Sequence, residues 1–164
     1  MPKPSKPTLL WLQSITCNGN THSFFSHPDF VALMQKFEII HHPILNTKYT
    51  IEDVVKENLA CDVLVLEGAF KKNGMKKINK EIYSVAKNYA KKAKHIITAG
   101  SCATFGGMFR QYNTQSIGGV CFDDELPNET YKLFKKKLIS IPGCPAHPRW
   151  IGSVLSMILT HRQI

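Results

Sequence analysis

Three cysteines stand where a fold could gather their sulfurs. The apolar run Leu9–Ser14 leads into Cys17, His95–Ser101 leads into Cys102, and Leu138–Ile141 followed by Pro142-Gly143 leads into Cys144. Each run reads as a buried strand, so each thiol falls two or three residues past a strand's C-terminal end. All three are flanked by residues that bend or stiffen a loop: Gly19 beside Cys17, Gly100 and Gly106-Gly107 around Cys102, and Pro142, Gly143, Pro145 and Pro148 around Cys144. Small, rigid neighbours let backbone N–H groups approach a bulky anionic cofactor, and such donors tune an iron–sulfur centre. Taken singly, a cysteine is more often a small buried apolar residue. That reading is kept for Cys61, at the start of a strand and so at the opposite sheet edge. Cys121, in an irregular stretch, reads as a buried or surface thiol rather than a ligand. No phosphate-cradling glycine pattern of the dinucleotide or P-loop kind is present.

The surrounding chain bounds the chemistry. Its 164 residues suit one domain with a real core, and a 43% hydrophobic, 20% charged composition suits a soluble globular protein. No apolar run reaches the ~18–20 residues a membrane span needs. Residues 1–8 form a polar, proline-rich tail, expected to be disordered, with neither a signal-peptide core nor a twin-arginine pair. The expected location is the cytoplasm, where the five cysteines are thiols or metal ligands rather than disulfides. The formal charge of +9 comes largely from lysine clusters at 71–72, 76–77, 91–94 and 135–137. They make a solvated face or a docking surface for an acidic protein. Few aromatics are interleaved and no nucleic-acid motif accompanies them, so no nucleic acid is expected as a partner.

The elements that must carry the thiols alternate. Strands are expected at 9–14, 37–41, 62–68, 95–99 and 137–141. A turn is expected at Cys17–Asn20, followed by a helix through Pro28 to about Lys36. A second helix, from a Thr50/Asp53 capping pair to about Leu59, a third over 78–93, and a last over 149–161 complete the alternation. The last helix is expected to turn Trp150, Val154, Leu155 and Ile158 inward. Residues 108–130 read mainly as loop. Such a chain makes a single domain, 9–164, an α/β three-layer sandwich around a parallel flavodoxin-like sheet of order 2-1-3-4-5. Ligands of these sheets bind outside the carboxyl ends of the strands, where Cys17, Cys102, Cys144 and Glu67-Gly68 all arrive.

Four segments, Leu10–Gly19, Val65–Ala69, Thr98–Gly107 and Ile139–Trp150, together resemble the N-terminal flavodoxin-like domain of the small subunit of [NiFe] hydrogenases. The related cluster-bearing subunit of NADH:quinone oxidoreductase shares that domain. The resemblance implies a proximal [4Fe–4S] cluster on four cysteines that passes electrons between a large subunit and an external electron carrier. Cys17, Cys102 and Cys144 fall on three of the four positions; the fourth falls on Asn20. Three thiolates suit a [3Fe–4S] cluster, or a [4Fe–4S] cluster with one non-cysteine ligand: water, Asn20, or the imidazole of His22 or His147. Gly100, Gly143 and Pro145 support the loops. Glu67 serves a proton path, a partner contact or a salt bridge to a lysine. The family usually continues into a second, C-terminal cluster domain; this sequence ends at Ile164, so the next carrier is expected on another protein. The implied role is a short-form hydrogenase small subunit, not active alone. The alternatives are a clusterless assembly module that keeps the docking surface, or a structural zinc site on the same cysteines with His22 or His147. The unpaired spacing of the ligands speaks against zinc.

Overall fold

The structure, a computed structural model, describes residues 5–71, 76–77, 80–112, 117–120, 134–135 and 137–160. In chain order the elements are β1 (Thr8–Gln13), α1 (Gly19–Phe25), α2 (Phe30–Met34), β2 (Glu38–His41), α3 (Ile51–Glu57), β3 (Val63–Glu67), β4 (Phe70–Lys71), β5 (Lys76–Lys77), β6 (Lys80–Glu81), α4 (Ile82–Lys92), β7 (His95–Ala99), α5 (Gly100–Phe105), α6 (Gly107–Tyr112), β8 (Ile117–Gly118), β9 (Leu138–Ile141) and α7 (Pro148–Thr160). Five strands form one parallel sheet in the order β2-β1-β3-β7-β9. Counted within the sheet, that is the expected 2-1-3-4-5.

Period-two alternation sorts the strand side chains into two cores. Leu10, Leu12, Leu64, Leu66 and Ile96 face one side, where Val54 of α3 and Ile82, Val85, Ala86 and Tyr89 of α4 cover them. Leu9, Trp11, Val63, Val65 and Ile97 face the other, against Phe24, Leu33, Ile151, Leu155 and Ile158 of α1, α2 and α7. Every residue of β3 is buried, as its unbroken apolar run requires of a central strand covered on both faces. The Thr50/Asp53 capping box forms as read: Asp53 N–H donates to Thr50 Oγ1 (3.2 Å) and Thr50 N–H to Asp53 Oδ2 (3.0 Å). Among the described residues no helix is long and apolar enough to cross a membrane.

Several expectations change. Strand β1 opens at Thr8, one residue before the expected 9, and buried Pro7 accepts a hydrogen bond from Glu38 N–H (2.9 Å). The helix expected to run through Pro28 is two short ones, because proline lacks the donor a continuing helix needs. The helix expected from residue 78 begins at Ile82; β5 and β6 pair as a ribbon before it. Trp150 is 59% exposed, not inward. The buried stripe of α7 runs Ile151, Leu155, Ile158, and Trp150 lies about 100° round the helix from it. Part of the stretch read as loop, 108–112, is helical in α6, and 117–118 forms β8, which pairs with β4; Cys121 lies outside the described residues.

Candidate metal centre

The register of the sheet sets the site. Gln13 pairs with Glu67, Glu67 with Ala99, and Ala99 with Ile141, so four strands end on one line. The cysteine-bearing segments leave from that line and are then tied together. Ser101 N–H donates to Gly143 O (2.8 Å) and Gly143 N–H donates to Ser101 Oγ (3.0 Å). This reciprocal pair sits one residue before Cys102 and one before Cys144. Ala146 N–H donates to Asn20 Oδ1 (2.8 Å), and Ser23 Oγ donates to Ala146 O (2.7 Å), tying α1 to the Cys144 loop. The Cys17 turn lies against the same loop: a Cβ on Gly19 would stand 3.2 Å from Cys17 Sγ and 3.8 Å from Pro145 Cβ.

Cys17 and Cys144 are exposed and Cys102 is half-buried. Cys102 is not on a loop, as expected, but in the first turn of α5. Gly100, at φ +89, turns the chain out of β7, and Thr104 Oγ1 closes the new turn on Gly100 O (3.0 Å). A side chain at Gly100 would overlap the carboxamide of Asn20, and a Cβ on Gly107 would come 2.6 Å from Cys102 Sγ. Glycine at these two positions keeps the space between the segments and over the Cys102 sulfur. Burial pushes the Cys102 thiol up, and Cys144, Cys17 and Glu67 add to the shift in that order. A cationic core beside Cys102 would draw its thiol back down. Thiols are the donor type that iron–sulfur cores take, and three of them leave this one sheet edge. No three His, Cys, Asp or Glu among the described residues gather closely enough for a single metal ion. A tetrahedral zinc site would need thiolates roughly 3.8 Å apart, from Zn–S bonds of about 2.3 Å; a cluster separates them by its own iron and sulfide.

Glu67 is fully buried and accepts six hydrogen bonds. Trp11 Nε1 (2.9 Å), Gln13 Nε2 (3.0 Å) and Thr21 Oγ1 (2.5 Å) donate to Oε2. Asn20 N–H (3.2 Å), Thr21 N–H (3.2 Å) and Thr16 Oγ1 (3.4 Å) donate to Oε1. All six donors are uncharged; among the described residues the carboxylate meets no lysine, and it is sealed from the surface. Instead it fixes the Cys17 turn and the start of α1 to the sheet. His22 is exposed on α1, its ring edge-on to Phe25. His147 is exposed, and its Nδ1 accepts Arg149 N–H (3.3 Å) at the start of α7. The reading of the sequence missed the donors to Glu67 and the Ser101–Gly143 pair. The signal available was weak: polar Gln13 and Thr16 at the end of an otherwise apolar strand.

The family described as NADH ubiquinone oxidoreductase, 20 Kd subunit, matches residues 17–158. The chain belongs to this family. It is 26% identical to the F420 non-reducing hydrogenase II small subunit of Methanosarcina mazei, over 92% of this chain and 48% of that protein. It is 24% identical to the F420 non-reducing hydrogenase I small subunit of the same organism, again over 92% of this chain and 48% of the other. The chain thus spans about half the length of these curated relatives. Its fold matches a chain of the Ni-Fe-Se hydrogenase from Desulfomicrobium baculatum with a TM-score of 0.75 and 19% identity, covering 97% of this chain and 64% of that one. It also matches an NAD+-reducing [NiFe]-hydrogenase chain with a TM-score of 0.67 and 20% identity, covering 96% and 93%.

Proposed function

We propose that this member of the family is a cytoplasmic electron-transfer subunit that holds one iron–sulfur cluster on Cys17, Cys102 and Cys144. It would dock on a large subunit of the hydrogenase kind and pass electrons to a separate carrier. The observation that supports this most is the tying of the thiol-bearing segments to one another, through Ser101–Gly143 and Asn20–Ala146, at one edge of the sheet. When bound, the cluster supplies one-electron chemistry. The chain's own residues do the rest. Gly107 and Gly19 keep bulk away from the Cys102 and Cys17 sulfurs. Glu67 and its donors hold the Cys17 turn in place before any metal arrives. Exposed Trp150, beside His147 (ring centroids 6.3 Å apart), offers an aromatic surface next to the Cys144 loop for the partner subunit.

The test is iron and acid-labile sulfide in anaerobically purified protein, with electron paramagnetic resonance of oxidised and reduced samples. Cys102→Ser should bring iron to background while leaving the melting temperature of the metal-free chain nearly unchanged. A colourless preparation that resists reconstitution with iron and sulfide would remove the reading. One observation favours a clusterless docking module: the hydrogen bonds that gather the loops need no metal. In that case Cys102→Ser binds the partner with unchanged affinity and leaves electron transfer in the assembled complex intact.

A further inference from the structure

We infer that Asn20 is a strut and not an iron ligand, so that a cluster on Cys17, Cys102 and Cys144 retains one iron without a protein donor, open to an exchangeable small ligand such as water, hydroxide or an added thiolate. This rests on the reading just given. Asn20 sits in the first turn of α1 and is 6% exposed. Its backbone N–H donates to Glu67 Oε1 (3.2 Å). Its side-chain oxygen, the atom that could ligate a metal, accepts Ala146 N–H across 126 residues of chain. Its carboxamide fills the space over Gly100 that no other residue type would leave open. One residue therefore touches all three thiol-bearing segments. Turning the oxygen toward iron would leave a buried backbone donor unpaired. A neutral amide recovers less from iron than a thiolate would, because soft thiolates are the ligands these clusters favour. The imidazoles are turned to other neighbours: His22 lies exposed against Phe25, and Nδ1 of exposed His147 accepts Arg149 N–H at the start of α7. Exposed Cys17 and Cys144 leave the site accessible to a small ligand from solvent.

The experiment uses the whole chain, reconstituted anaerobically with ferrous iron and sulfide, then treated with ferricyanide and EDTA. Wild type should lose one iron in four and show an oxidised three-iron paramagnetic signal. Ferrous iron with dithionite should reverse the loss, and 2-mercaptoethanol should alter the spectrum of the reduced four-iron form. Asn20→Cys should hold all four irons and ignore the added thiol. His22→Gln and His147→Gln should behave as wild type. Four irons held as firmly in wild type as in Asn20→Cys, or altered iron release in either histidine variant, overturns the inference. So does a cluster that forms in Asn20→Cys alone. No cluster in either protein defeats the electron-transfer reading itself and takes this inference with it. The strut is also read without metal. In the metal-free chain Asn20→Ala should speed hydrogen exchange at Ala146 N–H tenfold or more and lower the melting temperature by roughly 5 °C, from loss of one buried hydrogen bond. Asn20→Asp, which keeps the acceptor oxygen, should restore slow exchange. Unchanged exchange in Asn20→Ala refutes the strut.

Discussion

Strand β3 has an acid at each end, and the two are held by opposite means. Asp62, just before the strand, is partly exposed; Lys94 Nζ lies 2.8 Å from Oδ1, and Thr8 donates to Oδ2 through its N–H (2.9 Å) and hydroxyl (3.1 Å). Burial pushes its carboxyl up, but the hydrogen bonds from Lys94 and Thr8 outweigh that and hold it below the usual range. Glu67, at the other end, is sealed from solvent and accepts from six neutral donors among the described residues. A surface acid can borrow a lysine and water, so its partners hardly constrain the chain. A buried acid must be satisfied by fixed dipoles, and here these come from β1, the Cys17 turn and α1. The cysteines follow the same division. Cys61, beside Asp62, is buried and donates to Val63 O (3.3 Å); burial pushes its thiol up to about 12. Cys17, Cys102 and Cys144, near Glu67, keep sulfur accessible. One edge of the sheet closes the fold and the other is built around a site.

The comparison can be broken at Glu67 first. Glu67→Leu takes the acceptor from six donors, five of them buried, and should cost about 4 kcal/mol in urea denaturation of the metal-free chain, with the Cys17 turn the first part to exchange its amides. A loss below 1 kcal/mol would mean that the two ends of β3 are equivalent. The next test is acid. His42 is buried, its ring 5.0 Å from that of Trp11, whose indole donates to Glu67. Its Nδ1 accepts Ile44 N–H (3.2 Å) and Leu45 N–H (3.3 Å), which puts the proton on Nε2, and Nε2 has no partner among the described residues. Burial lowers its pKa from 6.5 to about 4, against an opposing pull from Glu67. The unfolded chain therefore binds the extra proton first as pH falls below 6.5. Stability present at pH 7 is lost toward pH 4, by about 2–3 kcal/mol between pH 7 and 4.5. His42→Phe, though less stable at pH 7, should show a flatter decline; an identical slope would remove His42 as the cause.

Smaller effects sharpen the contrast. Cys61→Ala should cost about 1 kcal/mol by loss of packing and leave the iron content of reconstituted protein unchanged. At pH 8 iodoacetamide should label Cys17 and Cys144 long before Cys61, read by peptide mass mapping; equal labelling would contradict the burial at the Asp62 end. Asp62→Asn should cost no more than about 1 kcal/mol, since it removes a solvent-screened pair and keeps an acceptor for Thr8. A larger loss would show that this edge, too, depends on its charge.

The five strands of the sheet, their order and the departure of three thiols from one edge were legible because they follow from local pattern. An apolar run such as Leu64–Leu66 must be covered on both faces wherever it lies, and parallel strands joined by helices leave few orders to choose from. The Thr50/Asp53 cap was legible for the same reason, since its partners are three residues apart. What the sequence hid was settled by contacts between distant segments. Trp150 reads as an inward aromatic until the packing of α7 selects Ile151 in its place, beside the expected Leu155 and Ile158. Cys102 reads as a loop residue until Gly100 and Thr104 start a helix under it. Asn20 reads as a missing thiol, and Glu67 as a proton path, a partner contact or a lysine's mate, until Ala146 and the donors around Trp11 and Thr21 are brought beside them. Periodicity is written along the chain and fixes what is buried. Which polar groups satisfy one another is fixed only when the chain closes, because a hydrogen bond depends on distance and direction in space, not on separation in sequence.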